Sequence, residues 1–142
     1  FYLYAPAAKI VQVAGLGGYF TNKKINLMPD GQGGFFAEVQ DFHWGMHYYF
    51  WYVDGVRICN PYAGISYGCF AAINTFEVQE KNVDFYFAKD IPHGTVSICK
   101  YVSKVSSHLK ECYVYTPYGY EEGDERYPVL YLQHGVGESE TG

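Results

Sequence analysis

The stretch His134-Gly135-Val136-Gly137-Glu138 puts a ring nitrogen, a glycine-spaced backbone and a carboxylate side by side. Acyl transfer needs a nucleophile, a base, and backbone N–H donors placed where negative charge develops on the carbonyl oxygen. This loop can supply only the donors, with Gly135 and Gly137 letting the backbone turn without Cβ clashes. The next residues, Gly137-Glu138-Ser139-Glu140-Thr141, imitate a nucleophile elbow in all but the last position, where Thr141 replaces the second glycine. Two carboxylates flank the hydroxyl, so Ser139 reads as a helix cap or a loop contact. His43 and His47 are four apart, but Gly45 and the aromatic run argue against a helix that would bring them together. They read as core or surface histidines, and the sequence calls for no metal and no cofactor. "GLGG", from Gly15 to Gly18, lacks the helix that a dinucleotide turn requires and reads as a plain turn.

A second kind of chemistry lies in the aromatic run "HYYFWYVDG". Alternation along a strand puts His47, Tyr49, Trp51 and Val53 on one side and Tyr48, Phe50 and Tyr52 on the other. A core needs one aromatic face, so the other is expected to meet a glycan, another domain or a neighbouring chain. Flat rings suit the C–H faces of sugars, and tyrosine hydroxyls can bond sugar oxygens. Tyr62, Tyr67 and Phe70 in "NPYAGISYGCF" carry the same two readings.

Strands must hold these residues. "FYLYAP", "KIVQVAG", "GFFAEVQ", "HYYFWYVDGVRICN" and "NTFEVQ" alternate at a period of two, with turn signals between them. Asp54-Gly55 is the sharpest of these, because a two-residue type I′ hairpin needs positive φ at both positions. Near "EKNVDFYFAKDIPHG" the alternation breaks at charges, Pro92 and Gly94. "GTVSICKYVS" and "LKECYVYTP" then form a predicted hairpin with a serine-rich turn. Val129-Leu130-Tyr131-Leu132 is apolar without alternation, as in a strand buried on both faces.

The chain has 142 residues, 49% hydrophobic and 20% aromatic, enough for a packed core, and its 18% charged residues are too few for a disordered chain. A net charge of −5 with no basic stripe excludes a nucleic-acid backbone as partner and suits neutral partners such as glycans. No apolar run of about 18 residues spans a membrane. The chain begins at Phe1 inside a strand, which leaves room for a preceding leader. Cys59, Cys69, Cys99 and Cys112 lack zinc spacing and read as free buried thiols, with a Cys59–Cys69 disulfide as the alternative.

"KECYVYTPYGYEEGDERYPVLYLQHGVGESETG" resembles the opening of the esterase D-type α/β-hydrolases, which include family 1 carbohydrate esterases such as feruloyl and acetyl xylan esterases. "FYLYAPAAKIVQVAG", "YYFWYVDGVRICNP" and "DIPHGTV" resemble the immunoglobulin-like module ahead of such esterases, similar to family 48 carbohydrate-binding modules. Where those modules commonly carry Gly-Asp-Phe-Asn-x-Trp, this chain has "GLGGYFTNKK". The resemblance implies a mainly β chain: an immunoglobulin-like (E-set) β-sandwich over 1–82, a linker over 83–93, and the N-terminal strands of a truncated α/β-hydrolase over 94–142. It also implies that Tyr49, Trp51 and Val53 face inward, leaving Tyr48, Phe50 and Tyr52 as the outer platform.

By the same resemblance the amide of Val136, with Gly137, points into an oxyanion hole, and His134 anchors that loop. The nucleophile elbow, acid and base would lie beyond Gly142. The parent protein would then remove feruloyl or acetyl esters from plant xylan by serine acyl transfer, this chain alone being inactive. A non-catalytic glycan-binding or interaction module and a siderophore esterase of similar layout are the other readings. The implied partners are a xylan-type polysaccharide or the chain's own esterase domain, and another copy through exposed strands. A plant-polysaccharide role favours a secreted or cell-associated protein and leaves the cytoplasm open.

Overall fold

The period-two alternation does become strands. The computed structural model describes residues 1–15 and 23–141. In chain order the strands are β1 (Tyr2–Tyr4), β2 (Val11–Gly15), β3 (Ile25–Asn26), β4 (Met28–Pro29), β5 (Gly34–Phe36), β6 (Gly45–Val53), β7 (Val56–Ile58), β8 (Gly64–Gly68), β9 (Ala71–Val78), β10 (Thr95–Val102) and β11 (Leu109–Thr116). One 3₁₀ turn, Tyr120–Glu122, follows, and the described residues hold no α-helix. "GLGG" falls largely outside the described residues. Two compact units emerge: Phe1–Val83 together with Val136–Gly142, and Asp84–Gly135.

The first unit has two antiparallel sheets, in the manner of a β-sandwich. The larger runs β3-β2-β6-β9-β8 with β7 also on β6, and the smaller runs β1-β5-β4. Their inward residues share one core. Val11 and Val13 of β2 and Tyr49 and Trp51 of β6 meet Phe35 of β5, with Leu3 of β1 packed against them. Trp51 is 1% exposed, as a strand residue between two sheets should be. The Phe1 ring meets Tyr49, Trp51 and Phe76 edge-on at centroid distances of 5.1, 6.2 and 5.6 Å, contacts worth about 0.5–1.5 kcal/mol each beyond their burial.

Two turns fix the registers that matter. Asp54 and Gly55 both have positive φ, 48° and 86°, and Val53 faces Val56 across the hairpin, so the expected type I′ turn forms. The Asp54 carboxylate then accepts the backbone N–H groups of Lys9 and Ile10 at 2.9 and 2.8 Å, clamping the β1–β2 connection. Beyond β7, a buried asparagine pair holds the next turn. Asn74 is 1% exposed. Its Oδ1 accepts the Asn60 N–H at 2.8 Å, and its Nδ2 donates to the carbonyls of Asn60 and Gly64 at 2.9 and 3.1 Å.

The second unit contains the expected hairpin of β10 and β11, which pair from Thr95↔Thr116 to Val102↔Leu109. Ser103 N–H donates to the His108 carbonyl at 2.9 Å to close the serine-rich turn. Two expectations are corrected. Val129, Leu130, Tyr131 and Leu132 form no strand and are exposed, because a strand buried on both faces needs neighbours and covering layers that the described residues do not supply. The cysteines are free but not buried, and no Cys59–Cys69 disulfide forms. Cys69 sits with Phe70 in a turn of positive φ (52° and 65°). Cys99 and Cys112 face each other on the surface of the hairpin.

Replacing Asn74 with alanine would leave the Asn60 N–H without its side-chain acceptor at a buried position and remove the Nδ2 bonds to the carbonyls of Asn60 and Gly64. The expected loss is about 2–4 kcal/mol, read from urea unfolding of parent and variant. A loss within error of zero would show that the turn does not depend on this side chain.

Candidate functional site

β6 presents its two faces as alternation requires, but its outer face is not an open platform. Phe50 is only 9% exposed, and Tyr48 and Tyr52 are half-buried. Ala14, the cross-strand partner of Phe50, and Ile73, on the same face of β9 as the partner of Tyr48, are buried as well. Long cationic side chains of the same sheet region do part of the covering. The Arg57 guanidinium lies 4.6 Å from the Phe50 ring centroid, and the Lys24 ammonium 3.8 Å from that of Tyr52. Such cations are attracted by the ring quadrupole while their stems cover apolar surface. This face is thus partly covered within the chain, and Phe50 in particular offers no free ring.

More exposed aromatic side chains lie elsewhere, two of them on the smaller sheet. Tyr2 and Tyr4 project from one face of β1, 56% and 64% exposed, while Leu3 between them points to the core. They line a groove of about 420 Å³ with Ile58, Asn60, Pro61 and Tyr62. Tyr62 is 96% exposed. Its turn is nonetheless fixed: Asn60 Oδ1 accepts the Tyr62 N–H at 3.0 Å, and Asn60 is itself tied to Asn74. Tyr67 and Phe70 are exposed but do not line this groove. Tyr62 was singled out from sequence and lines this groove, whereas Tyr2 and Tyr4, which line it too, were not. Their signal was present in "FYLYAP", where the period of two places both tyrosines opposite Phe1, Leu3 and Ala5.

Bonded to Tyr2, though not itself lining the groove, is an oriented carboxylate. Asp30 Oδ1 accepts the N–H groups of Gln32 and Gly34 at 2.7 and 2.9 Å, and Oδ2 lies 3.4 Å from the Tyr2 hydroxyl, which donates to it. The two backbone donors hold the Asp30 carboxyl below the usual carboxylate range. Partial desolvation and the neighbouring Asp30 charge push the Tyr2 hydroxyl up. A Cβ at Gly34 would run into the Asp30 carboxylate and the Tyr2 ring, which would have to shift to admit it.

The glycine loop sits apart from this chemistry. Gly137, at φ 79°, accepts the Phe70 N–H on its carbonyl at 2.8 Å, and a Cβ there would press on the Phe70 ring. Val136 is exposed. His134 Nδ1 donates to the Gly135 carbonyl at 2.8 Å, so that nitrogen is engaged within its own loop. Ser139 Oγ accepts the Thr141 N–H at 3.3 Å and shares a hydrogen bond of 2.9 Å with the Thr141 hydroxyl, a local turn contact. His47 Nε2 donates to the His43 carbonyl at 2.8 Å and its ring stacks on Phe76, so the two histidines meet through backbone rather than as a ligand pair.

No family model matches the chain. It is 39% identical over 102 residues to a protein of Xylanibacter ruminicola named "Endo-1,4-beta-xylanase/feruloyl esterase". The match takes in 68% of this chain and 14% of that protein. The chain spans a small part of its relative.

Asp30 gives a pH test of its hydrogen bonds. Its folded value lies below the unfolded one of about 3.9. Its contribution to stability is therefore full above about pH 4 and is lost as the pH falls through the lower folded value. Asp30→Asn should flatten the acid limb of a plot of thermal midpoint against pH. An acid limb identical to the parent's would show that Asp30 has no part in it.

Proposed function

We propose that the chain is the accessory β-sandwich and opening segment of a carbohydrate esterase acting on feruloyl or acetyl esters of plant xylan. The observation that carries this reading is the 39% identity over 102 residues to the Xylanibacter ruminicola protein. In this reading residues 1–82 form an immunoglobulin-like module that holds the polysaccharide, and residues from Gly94 onward begin the α/β-hydrolase. Exposed tyrosines and the absence of a basic stripe are compatible with a neutral glycan as partner.

Hydrolysis by serine acyl transfer needs a nucleophile, a base and an oriented acid. The sequence has one Gly-x-Ser-x-Gly, Gly64-Ile65-Ser66-Tyr67-Gly68, but it forms strand β8 paired with β9 rather than the strand-to-helix turn that a nucleophile elbow requires, and the imitation around Ser139 ends in Thr141. The chain's contribution to that chemistry would be the backbone of Gly135, Val136 and Gly137. Amides held there would stabilise the developing oxyanion, with Gly137 anchored through its carbonyl to the Phe70 N–H. The polysaccharide site would raise the local concentration of ester groups without touching the reacting bond.

Two measurements test the reading. In native gels cast with arabinoxylan the chain should migrate more slowly than in gels without it, and unchanged mobility would sink the glycan-binding role. The same chain should leave a simple aryl ester unhydrolysed above the buffer rate. Turnover by residues 1–142 would place the catalytic machinery inside the chain, against the proposal.

A further inference from the structure

Resting on that reading, we propose that the sugar chain is held in the groove along β1, with Tyr4 and Tyr62 as stacking surfaces and the Tyr2–Asp30 pair as the hydrogen-bonding edge. Three observations point there. The first is shape. Alternate residues on a strand stand roughly 7 Å apart, so Tyr2 and Tyr4 present rings at a spacing on the scale of a sugar unit. Tyr62 adds a third ring to the same groove, whose volume of about 420 Å³ lies within the range of about 300–1,000 Å³ found for small-ligand sites.

The second observation is rigidity. An almost fully exposed tyrosine on a loose loop would lose conformational freedom on binding, but the Tyr62 turn is already fixed by Pro61 and by the buried Asn60–Asn74 bonds. Tyr4 is likewise seated, its ring lying close over Gly33, where φ is 94° and a Cβ would come within 3.1 Å of the ring. Binding to such a site costs little further ordering of the backbone.

The third is chemistry. None of the groove's lining residues is charged, and the charge nearest to Tyr2 by hydrogen bonding is the Asp30 carboxylate. An anionic ligand finds no partner there. A purely apolar ligand would cover Tyr2 and Asp30 without offering them hydrogen bonds. A neutral polyhydroxylated chain satisfies both kinds of surface, with C–H faces against the rings and hydroxyls donating to the carboxylate. The outer face of β6 lacks this combination, since its rings are buried or capped by Lys24 and Arg57.

The test is affinity electrophoresis of the 142-residue chain in arabinoxylan. Tyr4→Ala and Tyr62→Ala should each weaken retardation about tenfold, as loss of a central aromatic anchor does, while Tyr62→Phe keeps it. Both positions are exposed, so thermal midpoints should match the parent. Parent-like retardation of both alanine variants would overturn the groove and leave the proposed function standing. Loss of retardation in Tyr52→Ala alone would overturn it in favour of the β6 face. A parent chain that arabinoxylan does not retard would overturn both readings. A readout on the unaltered chain supplements the variants: arabinoxylan should protect Tyr62 from iodination, mapped by mass spectrometry. Equal labelling with and without polysaccharide would overturn the groove.

Discussion

The first unit depends on β6 being buried on both faces. It pairs with β2, β7 and β9, so its backbone is satisfied along both edges, and its nine residues alternate between two different kinds of cover. Tyr49 and Trp51 go into the core between the sheets, where burial of large rings supplies most of the driving force. Phe50 and Tyr52 go to the other side, where Arg57 and Lys24 lie over them. An aromatic-rich strand can thus be stable without a partner on either face. The consequence for function is that aromatic content and binding surface are separate: the most aromatic strand is the least available one.

That separation explains what could and could not be read from the sequence. The Asp54–Gly55 hairpin was legible because its φ requirements are local, and so was the pairing of β10 with β11, whose two runs alternate on either side of a polar turn. The grouping of Tyr49 with Trp51 on one face followed from a period of two, since the parity of a strand sorts every residue on it, but which face turns inward came from the resemblance and not from parity. The lid over Phe50 and Tyr52 was not legible. Lys24 reaches Tyr52 from the neighbourhood of β3, and Arg57 reaches Phe50 across the hairpin, and no local pattern pairs a cation with a ring at those separations. Val129–Leu132 shows the opposite failure. An apolar run specifies burial but not what does the burying, and here it is exposed and in no strand.

Availability is governed by the smaller sheet. β1 has three residues, and only Leu3 is turned into the core; Tyr2 and Tyr4 are left outside by the same parity that buries Leu3. The partner strand β5 narrows to Gly34 where Tyr2 and Asp30 crowd together, which lets the carboxylate take two backbone N–H bonds and still face a hydroxyl. The groove is therefore a by-product of packing on one side and of a deliberate close approach on the other.

The Asn60–Asn74 pair couples this groove to the core. Burying two amides is costly unless every donor and acceptor is used, and here the side chain of Asn74 bridges the turn before β8 to the middle of β9 through three bonds. Hydrophobic side chains at these positions could pack as well, but they would not hold the backbone of the turn in one conformation. A buried polar network that fixes a turn carrying one bare tyrosine makes physical sense where the position of that ring matters. The backbone that carries Tyr62 is thereby tied to the core, and the sequence shows that tie only as an asparagine before a proline.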